Sequence, residues 1–177
     1  NESKEKMAHV IRNYFKWLFK PEFKECFDSL QIKVYDNFGS TTYYNPNSKS
    51  IEMDRNHLKF FNFYSDTWAH EGFHHADSGC KKVDRNKFKQ VYNQTPIEFQ
   101  NRIEEDLLRE YTPLRVLRGK KMTEEEKWAE RMAHIFHKLY NGSEIPLNMR
   151  NFFGQYVHLD RLPENYMQVD LSQFLPR

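Results

Sequence analysis

Cysteine is nearly absent from this chain: its 177 residues include only Cys26 and Cys80. Two cysteines are too few for a disulfide framework and too far apart for a CxxC metal site. A reducing compartment is the expectation, with a single bridge between the two left open. Long apolar runs are missing as well. No stretch approaches the roughly 20 consecutive apolar residues of a membrane span, and Asn1-Glu2-Ser3-Lys4-Glu5-Lys6 lacks the apolar centre of a secretory signal. The start at Asn1, without an initiator Met, is what a trimmed or processed chain would show, and a targeting segment upstream stays open. Strong net charge is also lacking. The 27 basic and 25 acidic residues leave +2, with the signs mixed along the chain. That balance disfavours nucleic acid as the partner. Internal repeats and low-complexity tracts are absent.

Aromatic residues are plentiful, at 16% of the chain, and supply core volume despite a polar mean hydropathy of -0.91. A chain of this length suits one compact domain over residues 1–177, either whole or as a piece of a longer protein. Met7, Val10, Ile11, Tyr14, Phe15 and Leu18 recur at helical spacing and predict an amphipathic helix over 3–20, stopped by Pro21. A short helix follows over 21–30. Residues 31–36 alternate in the manner of a strand, and 40–44 and 50–54 form a hairpin across the turn-rich 45–49. Ser65 or Asp66 is placed to cap a helix that ends near Ser78-Gly79. After a basic, irregular stretch over 81–94, Thr95-Pro96-Ile97-Glu98 opens a helix predicted to reach about residue 118, with a break or kink at Pro113. Another starts at Thr123 with a capping box to Glu126 and runs to Gly142. The tail over 147–157 adds a last helix. The class is α+β, mostly helical, with a small N-terminal sheet or hairpin.

Within the helix after the hairpin stands His70-Glu71-Gly72-Phe73-His74. A spacing of four puts His70 and His74 on one helical face, so both imidazoles can reach one ion, and Glu71 lies about 100° round the axis, where it can hold a water. This is the minimal equipment of a zinc hydrolase, with Glu71 as general base. Gly72 costs a helix interior about 1 kcal/mol relative to Ala. Its presence predicts close approach by another part of the chain.

Zinc held by two histidines needs a third protein ligand and an open position. Glu98 is the first choice, because it opens a helix that can fold back on the motif, and Glu126 is the alternative. Each has a plainer reading as a capping-box acid, with Thr95 and Thr123 respectively. Asp77, one turn after His74, is placed either to hydrogen-bond a liganding imidazole or to face solvent. His75 points to another face and reads as a packing or supporting residue. His134 and His137 lie three apart on the later helix and read as core-edge or surface residues. His9, His57 and His158 carry no special signal as isolated histidines. Arg109, Tyr111, Arg115, Tyr156 and His158 are candidate donors to a developing oxyanion, and the stripe Glu98, Arg102, Glu105 and Arg109 reads equally as exposed ion pairs.

These residues resemble the zincin metallopeptidases of the gluzincin kind. In that family HExxH lies on an active-site helix, a glutamate of the following helix is the third ligand, and an edge strand before the helix pairs with extended substrate. Thr41-Thr42-Tyr43-Tyr44 and Ser50-Ile51-Glu52-Met53 take that strand's place here. More narrowly, Glu98, Glu105-Asp106-Leu107-Leu108-Arg109 and Thr112-Pro113-Leu114-Arg115 are similar to a stretch in bacterial toxin and effector metallopeptidases related to the clostridial neurotoxin light chains. Asp106 stands where that group usually has Asn, and Gln100-Asn101 where it has Arg-Ala. A rival alignment, to lethal-factor-like toxin peptidases, matches Glu126 and Ala129-Glu130 instead. The resemblance implies a zincin-like fold and a zinc endopeptidase cleaving a protein target. It further implies a secreted bacterial effector or toxin acting on a host protein in a reducing cytosol. A non-catalytic protein-binding domain on the same fold, and a hydrolase of non-peptide amides, are the competing readings.

Overall fold

The computed structural model describes residues 2–39, 41–110 and 121–175, without the side chains of residues 2, 3 and 62. Helix α1 (Glu2–Leu18) buries Val10, Ile11, Tyr14, Phe15 and Leu18, the apolar face its spacing predicts. Pro21 opens a 3₁₀ turn (Pro21–Phe23) that leads into α2 (Lys24–Asp28). Three strands follow: β1 (Gln31–Tyr35), β2 (Thr42–Asn45) and β3 (Ser50–Asp54). The predicted hairpin is present, with β2 antiparallel to β3. Its turn is held by Asn45, whose Oδ1 accepts from the Asn47 N–H at 3.0 Å, as short polar side chains do in turns. Beyond the hairpin, β1 pairs parallel with β3, so the order is β1-β3-β2 and β2 is an edge.

Asp54 ends β3 and caps the next helix, α3 (Arg55–Lys59), by accepting from the Asn56 N–H at 2.8 Å. The motif helix α4 (Phe61–His74) starts a turn earlier than the expected cap at Ser65 or Asp66. Both side chains are engaged elsewhere: Ser65 donates to the Tyr166 carbonyl, and Asp66 accepts from His137. The regular helix gives way at His75 to a π-type turn (His75–Gly79). The stretch read as irregular over 81–94 instead contains α5 (Arg85–Gln94), capped by Asp84, which accepts from the Lys87 N–H at 2.9 Å. α6 (Ile97–Glu110) begins where predicted, with the Thr95 hydroxyl donating to the Tyr92 carbonyl at 2.6 Å. Its expected continuation to 118, with Pro113, lies outside the described residues. α7 (Glu124–Tyr140) carries the predicted capping box of Thr123 and Glu126, and α8 (Leu147–Phe153) completes the helices.

The core is built on aromatic rings. Phe73 of α4 packs against Phe136 of α7 and Phe153 of α8, with centroids 4.9 and 5.3 Å away, and Phe19 extends the cluster. Complete burial of each such ring contributes about 1.5–3 kcal/mol. The close approach expected at Gly72 is the ring of Phe15: an added Cβ would lie 2.6 Å from its Cε1. α4 is thus enclosed, with α7 packed along it. Among the described residues no helix is long and apolar enough to cross a membrane. The coarse class is α+β, mainly helical with a small sheet.

Cys26 and Cys80 form a disulfide, with their Cα atoms 5.5 Å apart. It ties α2 to the residue after the π-type turn. The bridge is the alternative that sequence left open, and it runs against the expected reducing compartment, because disulfides persist mainly in oxidising surroundings.

Candidate metal centre

α4 presents His70 and His74, one turn apart, to α7, and α7 answers with Glu130. His70 Nε2 lies 3.3 Å from Glu130 Oε2, and His74 Nε2 lies 3.1 Å from Glu130 Oε1. One ligand atom from each of the three falls within 4.8 Å of the others. Both histidines are buried and Glu130 nearly so. Two imidazole nitrogens and a carboxylate oxygen are a donor set of catalytic zinc sites. The residues fit such an ion on a further count. His74 Nε2 is buried and close to the carboxylate, yet it makes no aligned hydrogen bond among the described residues. A misaligned contact with Glu130 leaves that buried nitrogen poorly satisfied, and an ion seated among the three atoms would engage it.

Electrostatics agree. Burial pushes His70 down to about 4, which keeps its imidazole neutral as a ligand must be. Burial would lower His74 too, but Glu130, Glu71 and Asp77 outweigh it and raise the group to about 9, so its imidazole holds a proton that a cation would displace on binding. Burial would raise Glu130, and the two histidines instead hold its carboxylate well below the usual range. The field between α4 and α7 therefore favours positive charge at the centre of the three ligand atoms.

Glu71 stands beside them on α4. Its Oε2 accepts from the Tyr44 N–H of β2 at 2.8 Å, and burial pushes its carboxyl up to about 8. At that value the group is mostly protonated at pH 7, and a cation at the three ligand atoms would lower it toward the ionised form that can take and return a proton.

The other sequence-predicted residues lie elsewhere. Glu98 is exposed at the start of α6 and takes no part in the three-residue group. Glu126 sits in the capping box with Thr123, one turn before Glu130, so the local reading of that acid is the observed one. Its helix does reach the histidines, but through the next turn. Asp77 is buried in a two-pronged ion pair with Arg85, with Nη2 2.8 Å from Oδ2 and Nε 2.9 Å from Oδ1. It acts on His74 through space rather than through a hydrogen bond to the ring. Glu105 and Arg109 are exposed, and Arg109 pairs with Asp106 at 2.7 Å. Tyr156 packs on Phe23 and Phe152, and its hydroxyl accepts from the Asp84 N–H at 3.0 Å. None of these is drawn to the histidines as an oxyanion donor. Tyr111 and Arg115 lie outside the described residues.

His75 is buried against Phe27 and bonded to the Tyr44 hydroxyl, the packing position expected for it. His134 is engaged with Asp106 at 2.9 Å. His137 is half-buried at the core edge, one of the two positions read for it, and it is engaged there: its Nδ1 lies 3.2 Å from His70 Nδ1, and its Nε2 lies 2.7 Å from Asp66 Oδ2. Sequence reasoning passed over Glu130 as a ligand, and Asp66 and His137 as its neighbours. A signal was present, since Glu130, His134, His137 and Asn141 recur at steps of four, three and four on one stripe of an otherwise amphipathic helix.

Comparison with known protein families, with curated proteins and with solved structures returns no match in any of the three.

Proposed function

We propose that this chain is a zinc-dependent endopeptidase with His70, His74 and Glu130 as the metal ligands and Glu71 as the general base. The observation that carries the reading is the convergence of three ligand atoms within 4.8 Å beside a buried glutamate held by a backbone N–H. Zinc bound there would lower the pKa of its water and polarise the scissile carbonyl. Glu71 takes the water's proton and delivers it to the departing amine. The Tyr44 N–H fixes one carboxylate oxygen, leaving the other to turn toward the histidines.

A peptide substrate is favoured over other amides by the edge strand. The Asp54 N–H donates to the Thr41 carbonyl at 2.9 Å, so in the antiparallel register residues 41, 43 and 45 bond to β3. The backbone groups of Thr42 and Tyr44 point off the sheet, on the side where Glu71 stands. An extended peptide can add to such an edge by main-chain hydrogen bonds. A purely binding domain gains nothing from a buried carboxylate whose ionised form burial disfavours, and that cost is typical of a working site.

Of the two alignments, the lethal-factor-like one matches Glu126 and Ala129-Glu130 and so includes the acid beside the histidines, although its Glu126 lies in a capping box, whereas the light-chain one rests on the exposed Glu98. The zincin-like fold and a secreted effector or toxin attacking a host protein belong to the same proposal. Zinc titration of metal-stripped protein, followed by exposure to a peptide library with mass-spectrometric mapping of new termini, tests it. One zinc per chain and zinc-dependent cleavage are expected. Failure to bind zinc at all overturns the reading.

A further inference from the structure

Two residues outside the ligand group remain on the same helix pair. α4 and α7 run past each other so that Asp66 meets His137 and Asn141, His70 meets His137 and Glu130, and His74 meets Glu130. Asp66 sits one turn before His70 on α4, and His137 sits two turns after Glu130 on α7. Asp66 Oδ2 lies 2.7 Å from His137 Nε2 and accepts from the Asn141 amide at 3.2 Å. The next link is the 3.2 Å contact between the Nδ1 atoms of His137 and His70. His70 turns its Nε2 toward Glu130 and the shared ligand centre.

With a cation seated among His70, His74 and Glu130, so that Glu130 engages the ion rather than a proton on His70 Nε2, hydrogen-bond valence gives this chain one direction. A neutral imidazole donates from one nitrogen and accepts at the other. An ionised carboxylate only accepts, so His137 carries its proton on Nε2, facing Asp66. Its Nδ1 is then an acceptor. His70 must donate to it from Nδ1, which leaves His70 Nε2 with its lone pair aimed between His74 and Glu130. The opposite polarity would put the proton on His70 Nε2 and block it as a ligand.

We propose that His137 and Asp66 are positioning residues for His70: an imidazole interposed between carboxylate and ligand, which selects the His70 tautomer and ring orientation for metal binding. The proposal rests on the zinc reading above and deepens it. Outer partners of liganding histidines usually contact them directly as a carboxylate or carbonyl. Here Asp66, on the same helix as His70, is joined to it through a ring from the facing helix, so the tautomer depends on how α4 and α7 pack.

The test is the zinc dissociation constant of wild type, His137→Leu and His137→Gln, measured by competition with a chromogenic chelator beside the Tm of each metal-free protein. Loss of an outer partner weakens metal binding roughly 10–100-fold, and His137→Leu should do so. His137→Gln keeps the polarity, with its amide oxygen accepting from His70 and its NH₂ donating to Asp66, and should recover most of the loss. Equal affinity in His137→Leu and wild type overturns the proposal while leaving the zinc site standing. So does a Gln variant as weak as the Leu variant at the same Tm. Wild type that binds no zinc overturns the site and this proposal together. If His137→Leu does not fold, long-range ¹H–¹⁵N spectra of zinc-loaded wild type decide: a proton on His137 Nε2 with a bare His137 Nδ1 is expected, and a proton on His137 Nδ1 rejects the relay.

Discussion

The backbone N–H of Tyr44 donates to Glu71 Oε2 across 2.8 Å, joining the edge strand to the motif helix. Strand and carboxylate are thereby held in one geometry, and under the proposed function a peptide added to the strand would arrive beside Glu71. Replacing Glu71 by Gln preserves shape and the proposed ligands but removes the proposed base. Hydrolysis should fall by roughly 10²–10⁴-fold or more, the usual worth of a positioned acid–base group, with zinc content unchanged. Steady-state cleavage of a mapped substrate beside metal analysis measures both, and surviving activity would remove Glu71 from its role.

Glu130, Glu98 and Glu126 separate cleanly by zinc retention. Glu130→Ala deletes the only acid in the three-residue group and should release zinc on dialysis. Glu98→Ala changes an exposed side chain and should leave zinc and stability within about 0.5 kcal/mol. Glu126→Ala breaks a capping box and should cost about 0.5–2 kcal/mol of stability while zinc stays. Zinc loss in the Glu98 or Glu126 variant alone would reassign the third ligand.

The Cys26–Cys80 bridge closes a loop over a sequence separation of 54 and clamps the end of the motif helix. Reduction, or the Cys26→Ala/Cys80→Ala pair, should destabilise the chain by about 2–4 kcal/mol, because the unfolded ensemble regains loop freedom. Denaturant unfolding with and without a strong reductant reads this. Intact mass after alkylation without reduction should show no modified thiol, and two alkylated cysteines would show that the bridge is absent.

Gly72→Ala sets two effects against each other. Helix propensity gains about 1 kcal/mol, but the new methyl would meet the buried Phe15 ring 2.6 Å away. That ring is itself packed on Phe19 and Phe27, and overpacking costs about 1–3 kcal/mol. A lower Tm is expected. An unchanged or higher Tm would show that Phe15 can yield.

Acid should unfold the protein partly through α6 and α7. Burial raises Asp106, but bonds to His134 and Lys138 outweigh it and hold its carboxyl below the ordinary range; for Glu104, Arg131 and Tyr92 do the same against burial. Both groups have folded values below their unfolded ones. Their stabilisation is present above the unfolded values near 4 and is lost as pH falls through the folded ones. Urea midpoints between about pH 2.5 and 6 should therefore decline on the acid side. Asp106→Asn should be less stable near pH 6 and show a shallower decline, and an unchanged slope would exclude Asp106 from the linkage.

Local rules were legible in sequence wherever one helix or one turn contains the whole argument. The spacing of His70 and His74, the box of Thr123 and Glu126, the apolar face over 3–20 and the hairpin across 45–49 depend on neighbours within four or five residues. Helical pitch and strand alternation already relate such neighbours. The third member of the metal group was different. Glu98 and Glu126 stood out because each begins a helix, yet helix-start acids are drawn to their own backbone N–H groups, and Glu126 does that. Glu130, His137 and Asp66 acquire their roles only when α7 lies along α4. That packing is decided by Phe73, Phe136 and Phe153 in the core rather than by the polar residues at the site. The disulfide has the same origin: sequence supplied two thiols 54 residues apart, and the docking of α2 against the end of the motif helix brought their Cα atoms to 5.5 Å. Sequence by itself determined the motif, its helix and the carboxylate proposed as its base. The acid that closes the three-residue group, and the imidazole proposed to orient His70, were decided by tertiary packing, because contact between distant segments follows from how apolar faces fill space.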